Sequence, residues 1–232
     1  MAKDGSIKEK HPHSGGWMGD ITLGMSDGLI TTTGFVMALA SAGVSKNIIV
    51  ISVLAEALAG SVSGGLAMFL SERTRSDMIA KRIAVEKEEI LTEPDEERNE
   101  LRDIYTKKGL SGDVLDDVVA ALTTNHDLWL KTMVHDEHGI IDDDAKVKPS
   151  HLGLKTGFSF LIGSIIPSIP FFIFGQVGIS MVVSLCLAIF SGVAIGLIKS
   201  RYTLRSAVYA SLEFILIGGF GVLAGAIIGR LL

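Results

Sequence analysis

The sequence predicts an all-α membrane protein, in which a bundle of five transmembrane helices is interrupted by one water-soluble helical insertion. The hydrophobic fraction of the 232 residues is 48%, and the mean hydropathy is +0.44. The charges are unevenly distributed, because 20 of the 26 Asp and Glu and 12 of the 21 Lys and Arg lie in residues 71–150. The chain therefore divides into strongly apolar regions and one acidic segment, residues 71–150.

Five stretches are long and apolar enough to cross a bilayer, which requires about 20 mostly apolar residues. They cover residues 18–44, 47–70, 152–174, 177–198 and 207–228. The domain organisation follows from these spans. It comprises an N-terminal tail at 1–16, two spans within 17–70, the acidic segment at 71–150 and three spans within 151–232.

The distribution of Lys and Arg predicts the orientation of the spans. Basic residues near the span ends lie in the tail, in the acidic segment and in the loop at 199–205, whereas the opposite side carries only Lys46 and Arg230. Cytoplasmic loops are enriched in Lys and Arg. We therefore expect the N-terminus and residues 71–150 to lie in the cytosol and the C-terminus to lie on the other side.

Carboxylates inside the apolar spans point to an ion pathway. Asp27 lies in the first span and Glu56 in the second. A charge at the bilayer centre costs at least about 2.5–3.5 kcal/mol, so such residues are kept mainly where they pair or line a path for ions. The chain is therefore a candidate membrane transporter. A third carboxylate, Glu213 in the last span, either serves the same path or pairs with the basic cluster at 199–205.

The acidic segment is predicted to form a small helical lobe. The second span continues in a helix-compatible pattern to about residue 91, and Pro94 breaks it. A second helix is expected to end at Gly109, a third to cover about 111–125, and a fourth to cover about 126–138.

Acidic residues recur at helical spacing within this segment. Glu86 and Glu89 share a helix face, as do Glu97 and Glu100, and Met133 lies four residues before Glu137. A cation between the helices would remove the like-charge repulsion. Carboxylate oxygens with one thioether suit a first-row divalent metal better than calcium. The competing interpretation is a set of solvated faces, and spacing alone leaves further acidic candidates open: Glu88, Glu93, Asp95 and Glu96.

Two motifs resemble those of a known family. One is the run from Ser26 to Thr32 (SDGLITT), and the other is the AEA motif around Glu56, which leads into Leu70 and Ser71. The likeness continues in order along the chain. It covers Glu86 to Ile90, Pro94, Gly109 with Leu110, Met133 to Gly139 and, more loosely, Pro167 to Phe171 and Gly218 to Leu231. The chain thus resembles the vacuolar iron transporter family over essentially its whole length.

This resemblance implies a homodimer with five spans per protomer and a cytosolic metal-binding domain after the second span. It implies a proton-coupled antiporter that removes Fe²⁺ from the cytosol, and it leaves Zn²⁺, Co²⁺ and Mn²⁺ open at the same site. The partners are then divalent metal ions, protons and membrane lipid, with no nucleic acid. The membrane is the plasma (inner) membrane of a prokaryote or the vacuolar membrane of a eukaryote. The implied metal ligands are Glu86, Glu89, Glu97, Glu100, Met133 and Glu137, and the implied pathway residues are Asp27 and Glu56.

The chain departs from the family pattern at two positions in the second span. Gly64 occupies the place of a methionine in the membrane path, and Met68 occupies that of a glutamate. Because residues 64 and 68 share a helix face, the soft ligand is expected to have moved by one turn to Met68. The departures also favour an alternative function, a membrane-anchored protein that binds or senses divalent metal without transport. An enzyme is not expected, since the sequence shows no nucleophile–base arrangement, phosphate loop or dinucleotide fingerprint.

Overall fold

The computed structural model describes residues 16–141 and 147–231, and every regular element in these ranges is an α-helix. Eight helices follow one another in this described part of the chain. They are α1 (Gly16–Ser41), α2 (Lys46–Thr92), α3 (Pro94–Lys107), α4 (Gly112–Thr123), α5 (His126–Asp136), α6 (Pro149–Ile173), α7 (Val177–Tyr202) and α8 (Ala207–Leu231).

The chain forms two compact units. The membrane unit contains the described residues of 1–69 and 150–232, and the lobe contains those of 70–149. Helix α2 belongs to both, because its 47 residues begin in the membrane unit and end in the lobe.

Five helices are long and apolar enough to cross a membrane, and the five predicted spans all fall on them. These helices are α1, α2, α6, α7 and α8. In the middle of the membrane unit, Val36 and Met37 of α1 pack with Ile49 and Val53 of α2 and with Phe171 of α6. This apolar packing holds the helices that carry the two predicted pathway carboxylates.

Glycines bring α1 and α6 into close backbone contact. A Cβ atom added to Gly28 would overlap the carbonyl oxygen of Phe160, and one added to Gly163 would overlap that of Met25. Small residues allow this approach between membrane helices, where lipid supplies no hydrophobic drive for association. The contact is made beside Asp27, so it fixes the position of that residue.

Helix α6 continues through two prolines and ends at Ile173, just before Gly175. Two serines of α7 hydrogen-bond to the proline carbonyls. Ser184 Oγ donates to the Pro167 oxygen at 2.7 Å, and Ser180 Oγ donates to the Pro170 oxygen at 3.1 Å. In an apolar environment such bonds satisfy backbone groups at an irregular helix end.

The lobe has a hydrophobic core of its own. Ile90 of α2, Leu101 of α3, Val119 of α4 and Trp129 and Met133 of α5 are buried together. Asn125 precedes helix α5 as its N-cap, and its side chain accepts hydrogen bonds from the amides of residues 127 and 128. Such a cap satisfies free N–H groups in the first turn of a helix. The shared core packs the three short helices against the end of α2.

Candidate metal site

Two glutamates are buried together in the lobe. Glu86 lies near the end of α2 and is 2% exposed, and Glu97 lies in the first turn of α3 and is 6% exposed. The break before Pro94 reverses the chain between them, and each carboxyl group affects the pKa of the other. Each keeps one buried oxygen that finds no hydrogen-bond partner among the described residues. Buried polar atoms are nearly always paired, so a partner such as a proton donor or a cation is expected at these two oxygens.

The electrostatics of this cluster favour protonation or a bound cation. Burial raises the pKa of Glu86, and the charges of Glu137, Glu89 and Glu100 raise it further. Burial and the neighbouring carboxyl groups of Glu86, Glu100 and Glu89 raise the pKa of Glu97 to about 8. The pKa of Glu100 is raised by its partial burial and by Glu137 and Glu89. The metal-free cluster therefore favours a protonated Glu97 near neutral pH.

The donor set defines what this cluster can bind. Several carboxylates converge on one place, and hard or borderline divalent cations prefer oxygen ligands of this kind. A cation of charge +2 would replace the proton on Glu97 and relieve the repulsion between the carboxylates. Metal and protons therefore compete for the same oxygens.

The end of α5 adds Glu137 and an unexpected histidine to this cluster. His138 Nε2 lies 3.1 Å from Glu86 Oε2, and His138 Nδ1 lies 3.8 Å from Glu137 Oε1. One ligand atom from each of these three residues lies within 4.8 Å of the other two. The geometry is that of a candidate metal site with two carboxylates and one imidazole.

A helix cap places His138 in the cluster. Helix α5 ends at Asp136, Gly139 takes a left-handed conformation with φ of 65°, and the Ile140 amide donates to the Val134 carbonyl oxygen at 3.1 Å. Residues 137 and 138 therefore lie in a closing turn. Helical spacing pairs Met133 with Glu137 but says nothing of the next residue, so sequence reasoning missed His138. The one available signal was Gly139, a typical helix C-cap.

Of the six predicted ligands, Glu86 and Glu137 lie with His138 in one group of ligand atoms. Glu97 lies near Glu86, and the other three carboxylates are close enough to affect the pKa values of this pair. These three are Glu89, Glu100 and Glu137. Met133 is fully buried and packs in the hydrophobic core of the lobe beside Trp129. The acidic residues that spacing left open are exposed: Glu88, Glu93, Asp95 and Glu96.

The membrane unit holds the predicted pathway carboxylates on neighbouring helices. Thr32 Oγ1 donates to Glu56 Oε2 at 2.8 Å, and Glu56 Oε1 is buried with no hydrogen-bond partner in the described part of the chain. Asp27 accepts from Thr31 at 3.2 Å and lies within electrostatic range of Glu56. In the single chain, Asp27 is exposed on the surface of the membrane unit.

Three further positions in the membrane unit bear on the expectations. Met68 is half-buried, and a Cβ atom added to Gly64 would have open space within 4 Å. Glu213 accepts a hydrogen bond from Lys199 Nζ at 3.1 Å. The structure thus shows the contact with the basic cluster that one of the two interpretations of Glu213 expects.

Fold and site together define a class, the helical membrane proteins with several spans that carry an acidic lobe after the second. The family model described as the VIT family matches residues 18–230, and the chain belongs to this family.

Named relatives align with nearly the whole chain. "Vacuolar iron transporter 1" of Tulipa gesneriana is 28% identical over 91% of this chain and 85% of its own length. The protein of the same name from Arabidopsis thaliana is 28% identical over 90% of this chain and 84% of its own length. "Protein CCC1" of Saccharomyces cerevisiae is 23% identical over 89% of this chain and 66% of its own length.

Proposed function

We propose that this protein transports divalent metal, with Fe²⁺ as the principal substrate, out of the cytosol in exchange for protons. Membership of the VIT family and the names of the relatives support metal as the substrate. The observation that carries the proposal is the buried glutamate pair of the lobe, Glu86 and Glu97, each with an oxygen that lacks a partner among the described residues. A site of this kind is built to receive a cation.

The lobe collects the metal. Five carboxylates supply oxygens, and Met133 supplies a thioether. The proposed ligand set is Glu86, Glu89, Glu97, Glu100, Met133 and Glu137, which would also admit Zn²⁺, Co²⁺ or Mn²⁺. Metal binding releases the proton that Glu97 holds, so the lobe binds metal more readily as pH rises.

The ion then passes through the membrane unit along Asp27 and Glu56, with Met68 as a soft ligand. A carboxyl group in apolar surroundings can hold a proton when no cation is bound and release it when one binds. This exchange is the simplest physical basis for antiport. The free oxygen of Glu56 and the hydrogen bond from Thr32 fit a group that alternates between these two occupants.

The assembly we propose is a homodimer with the tail (1–16) and the lobe in the cytosol. Asp27 is exposed on the membrane unit of one chain. A carboxylate facing lipid is costly, so a second protomer that covers it would complete a pathway of four carboxylates. The arrangement comprises spans in 17–70 and 151–232 and a metal-binding domain at 71–150, in a prokaryotic plasma (inner) membrane or a eukaryotic vacuolar membrane.

Fe²⁺ uptake into inverted vesicles, whose cytosolic face is outward, tests this function. We expect uptake by the wild type that increases with an inward-acid proton gradient and collapses when an ionophore removes the gradient. Glu56→Gln should abolish uptake. Glu88→Gln, which changes an exposed glutamate on the same helix, should leave it unchanged. The proposed antiport is refuted if Fe²⁺ uptake does not depend on the proton gradient, or if the Glu56→Gln variant takes up Fe²⁺ as the wild type does.

A metal-binding or sensing protein without transport is the second candidate. The open space beside Gly64, in place of the family's methionine, favours it because a pathway ligand is missing there. The same assay separates the two functions. Vesicles whose protein binds Fe²⁺ at the outer face but accumulates none inside identify the sensor.

A further inference from the structure

We propose that His138 supplies a nitrogen ligand to the metal held by the lobe and thereby makes the site select transition-metal ions over Mg²⁺ and Ca²⁺. The inference rests on the proposed function to the extent that the lobe binds metal, and it does not depend on transport. It adds a residue of a different chemical type to the six ligands that the sequence predicts.

The position of the imidazole supports this role. One ring nitrogen lies 3.1 Å from a Glu86 oxygen, and the other lies 3.8 Å from a Glu137 oxygen. The ring thus stands between two carboxylates, and a cation that binds both of them is within reach of a ring nitrogen after a small shift. These three residues also supply one ligand atom each, and the three atoms are close enough together to bind a single ion.

A second and independent observation is a buried carboxylate oxygen of Glu86 that has no partner among the described residues. Glu86 is 2% exposed, and its Oε1 atom is buried with no hydrogen-bond partner in the residues described, although His138 engages its Oε2 atom. Hydrogen bonding inside the cluster therefore leaves this oxygen unsatisfied. A metal ion that binds Glu86 Oε1 and the imidazole would satisfy both.

The neighbouring histidine has a different role and provides a matched control. His135 Nδ1 contacts Asp136 Oδ1 at 2.8 Å, and Asp136 also pairs with Lys108 at 2.7 Å. His135 is exposed, whereas His138 is held in the cluster by the turn at Gly139. Two histidines three residues apart thus differ in their access to the carboxylates.

The chemistry of the donor atoms sets the expected selectivity. Carboxylate oxygens alone suit Mg²⁺, Ca²⁺ and Mn²⁺, whereas imidazole suits iron, zinc, cobalt and nickel. One nitrogen ligand in an oxygen site therefore raises affinity for the second group and leaves affinity for the first nearly unchanged. A lobe that meets abundant Mg²⁺ gains selectivity for transition-metal ions from this residue.

The test uses full-length protein in detergent, titrated with Co²⁺ and separately with Mg²⁺. Replacing His138 with Gln keeps a hydrogen-bond donor for Glu86 and removes the nitrogen ligand. We expect His138→Gln to weaken Co²⁺ binding by about 10-fold or more and to leave Mg²⁺ binding within about 2-fold. His135→Gln should match the wild type for both ions. X-ray absorption of the Co²⁺-loaded protein should show imidazole scattering that His138→Gln removes.

Each other outcome decides against the inference or against its premise. Equal weakening for Co²⁺ and Mg²⁺ shows that His138 only positions Glu86, and unchanged Co²⁺ binding excludes it as a ligand. Absence of imidazole scattering in the wild type overturns the inference even if the variant does not fold. If the wild type and Glu97→Gln bind Co²⁺ equally, the lobe is not a metal site and the premise fails. If X-ray absorption shows imidazole coordination but the protein does not transport Fe²⁺, the proposed transport function is refuted and the inference about His138 stands.

Discussion

The buried pair of Glu86 and Glu97 makes the stability of the metal-free lobe depend on pH in an unusual direction. Glu97 has a pKa of about 8 in the folded protein, and its ordinary value is 4.5. The folded state therefore binds a proton more tightly than the unfolded state. Below pH 4.5 Glu97 is protonated in both the folded and the unfolded state, and its contribution to the stability of the lobe is fully present. Stability then falls as pH rises through the folded pKa and stays low above it.

The size of the effect follows from the same shift. Each unit of pKa difference corresponds to about 1.4 kcal/mol, so a charged Glu97 destabilises the metal-free lobe by on the order of 5 kcal/mol. Glu97→Gln removes the titrating group and keeps its shape. We expect this variant to be more stable than the wild type at pH 9 and about equal to it at pH 5.

Trp129 reports on this equilibrium because it is buried in the core of the lobe. The only other tryptophan is Trp17, so a Trp17→Phe background makes the fluorescence specific. Urea unfolding with a chelator present should show a midpoint that falls between pH 5 and 9 in the wild type and is nearly flat in Glu97→Gln. Adding Co²⁺ at pH 9 should restore the urea midpoint of the wild type and leave that of Glu97→Gln unchanged. A wild-type midpoint that is flat or rises with pH refutes the reasoning.

Two further predictions concern the membrane unit. Gly28→Ala places a methyl group against the Phe160 carbonyl oxygen and forces α1 and α6 apart, whereas Gly64→Ala meets open space. We expect the first variant to lose several degrees in Tm or to be recovered poorly as folded protein, and the second to match the wild type in thermal unfolding. Lys199→Gln should lower Tm because it leaves Glu213 without its ion-pair partner, and the double variant with Glu213→Gln should recover most of the loss. Equal Tm values for the single and double variants would contradict that pairing.

Hydropathy and helix signals were sufficient to predict the helices of this protein. The five spans and the breaks at Pro94, Gly109 and Gly139 depend on local composition and backbone preference, and these act through neighbouring residues. Spacing on single helices likewise identified Glu86 and Glu97 as candidates. Their burial together depends on how α3 folds back against α2, which no local pattern records.

The remaining features of the site depend on contacts between distant segments. His138 reaches Glu86 across 52 residues of sequence, through a turn in which helical spacing no longer applies. Met133 is a second example, since its spacing from Glu137 suggested a ligand but did not show that it packs with Trp129 in the core of the lobe. A buried methionine at a helical interval fits both roles. Only the three-dimensional arrangement shows what surrounds it.

Proton movement measured together with metal uptake tests the central claim most directly. Proteoliposomes with an acidic lumen and a trapped pH indicator receive Fe²⁺ on the face that carries the lobe. The account predicts that the lumen becomes more alkaline as Fe²⁺ enters, with both signals absent in Glu56→Gln. Fe²⁺ entry with no change in luminal pH, or equal signals in Glu56→Gln, would contradict a pathway in which carboxylates exchange protons for metal.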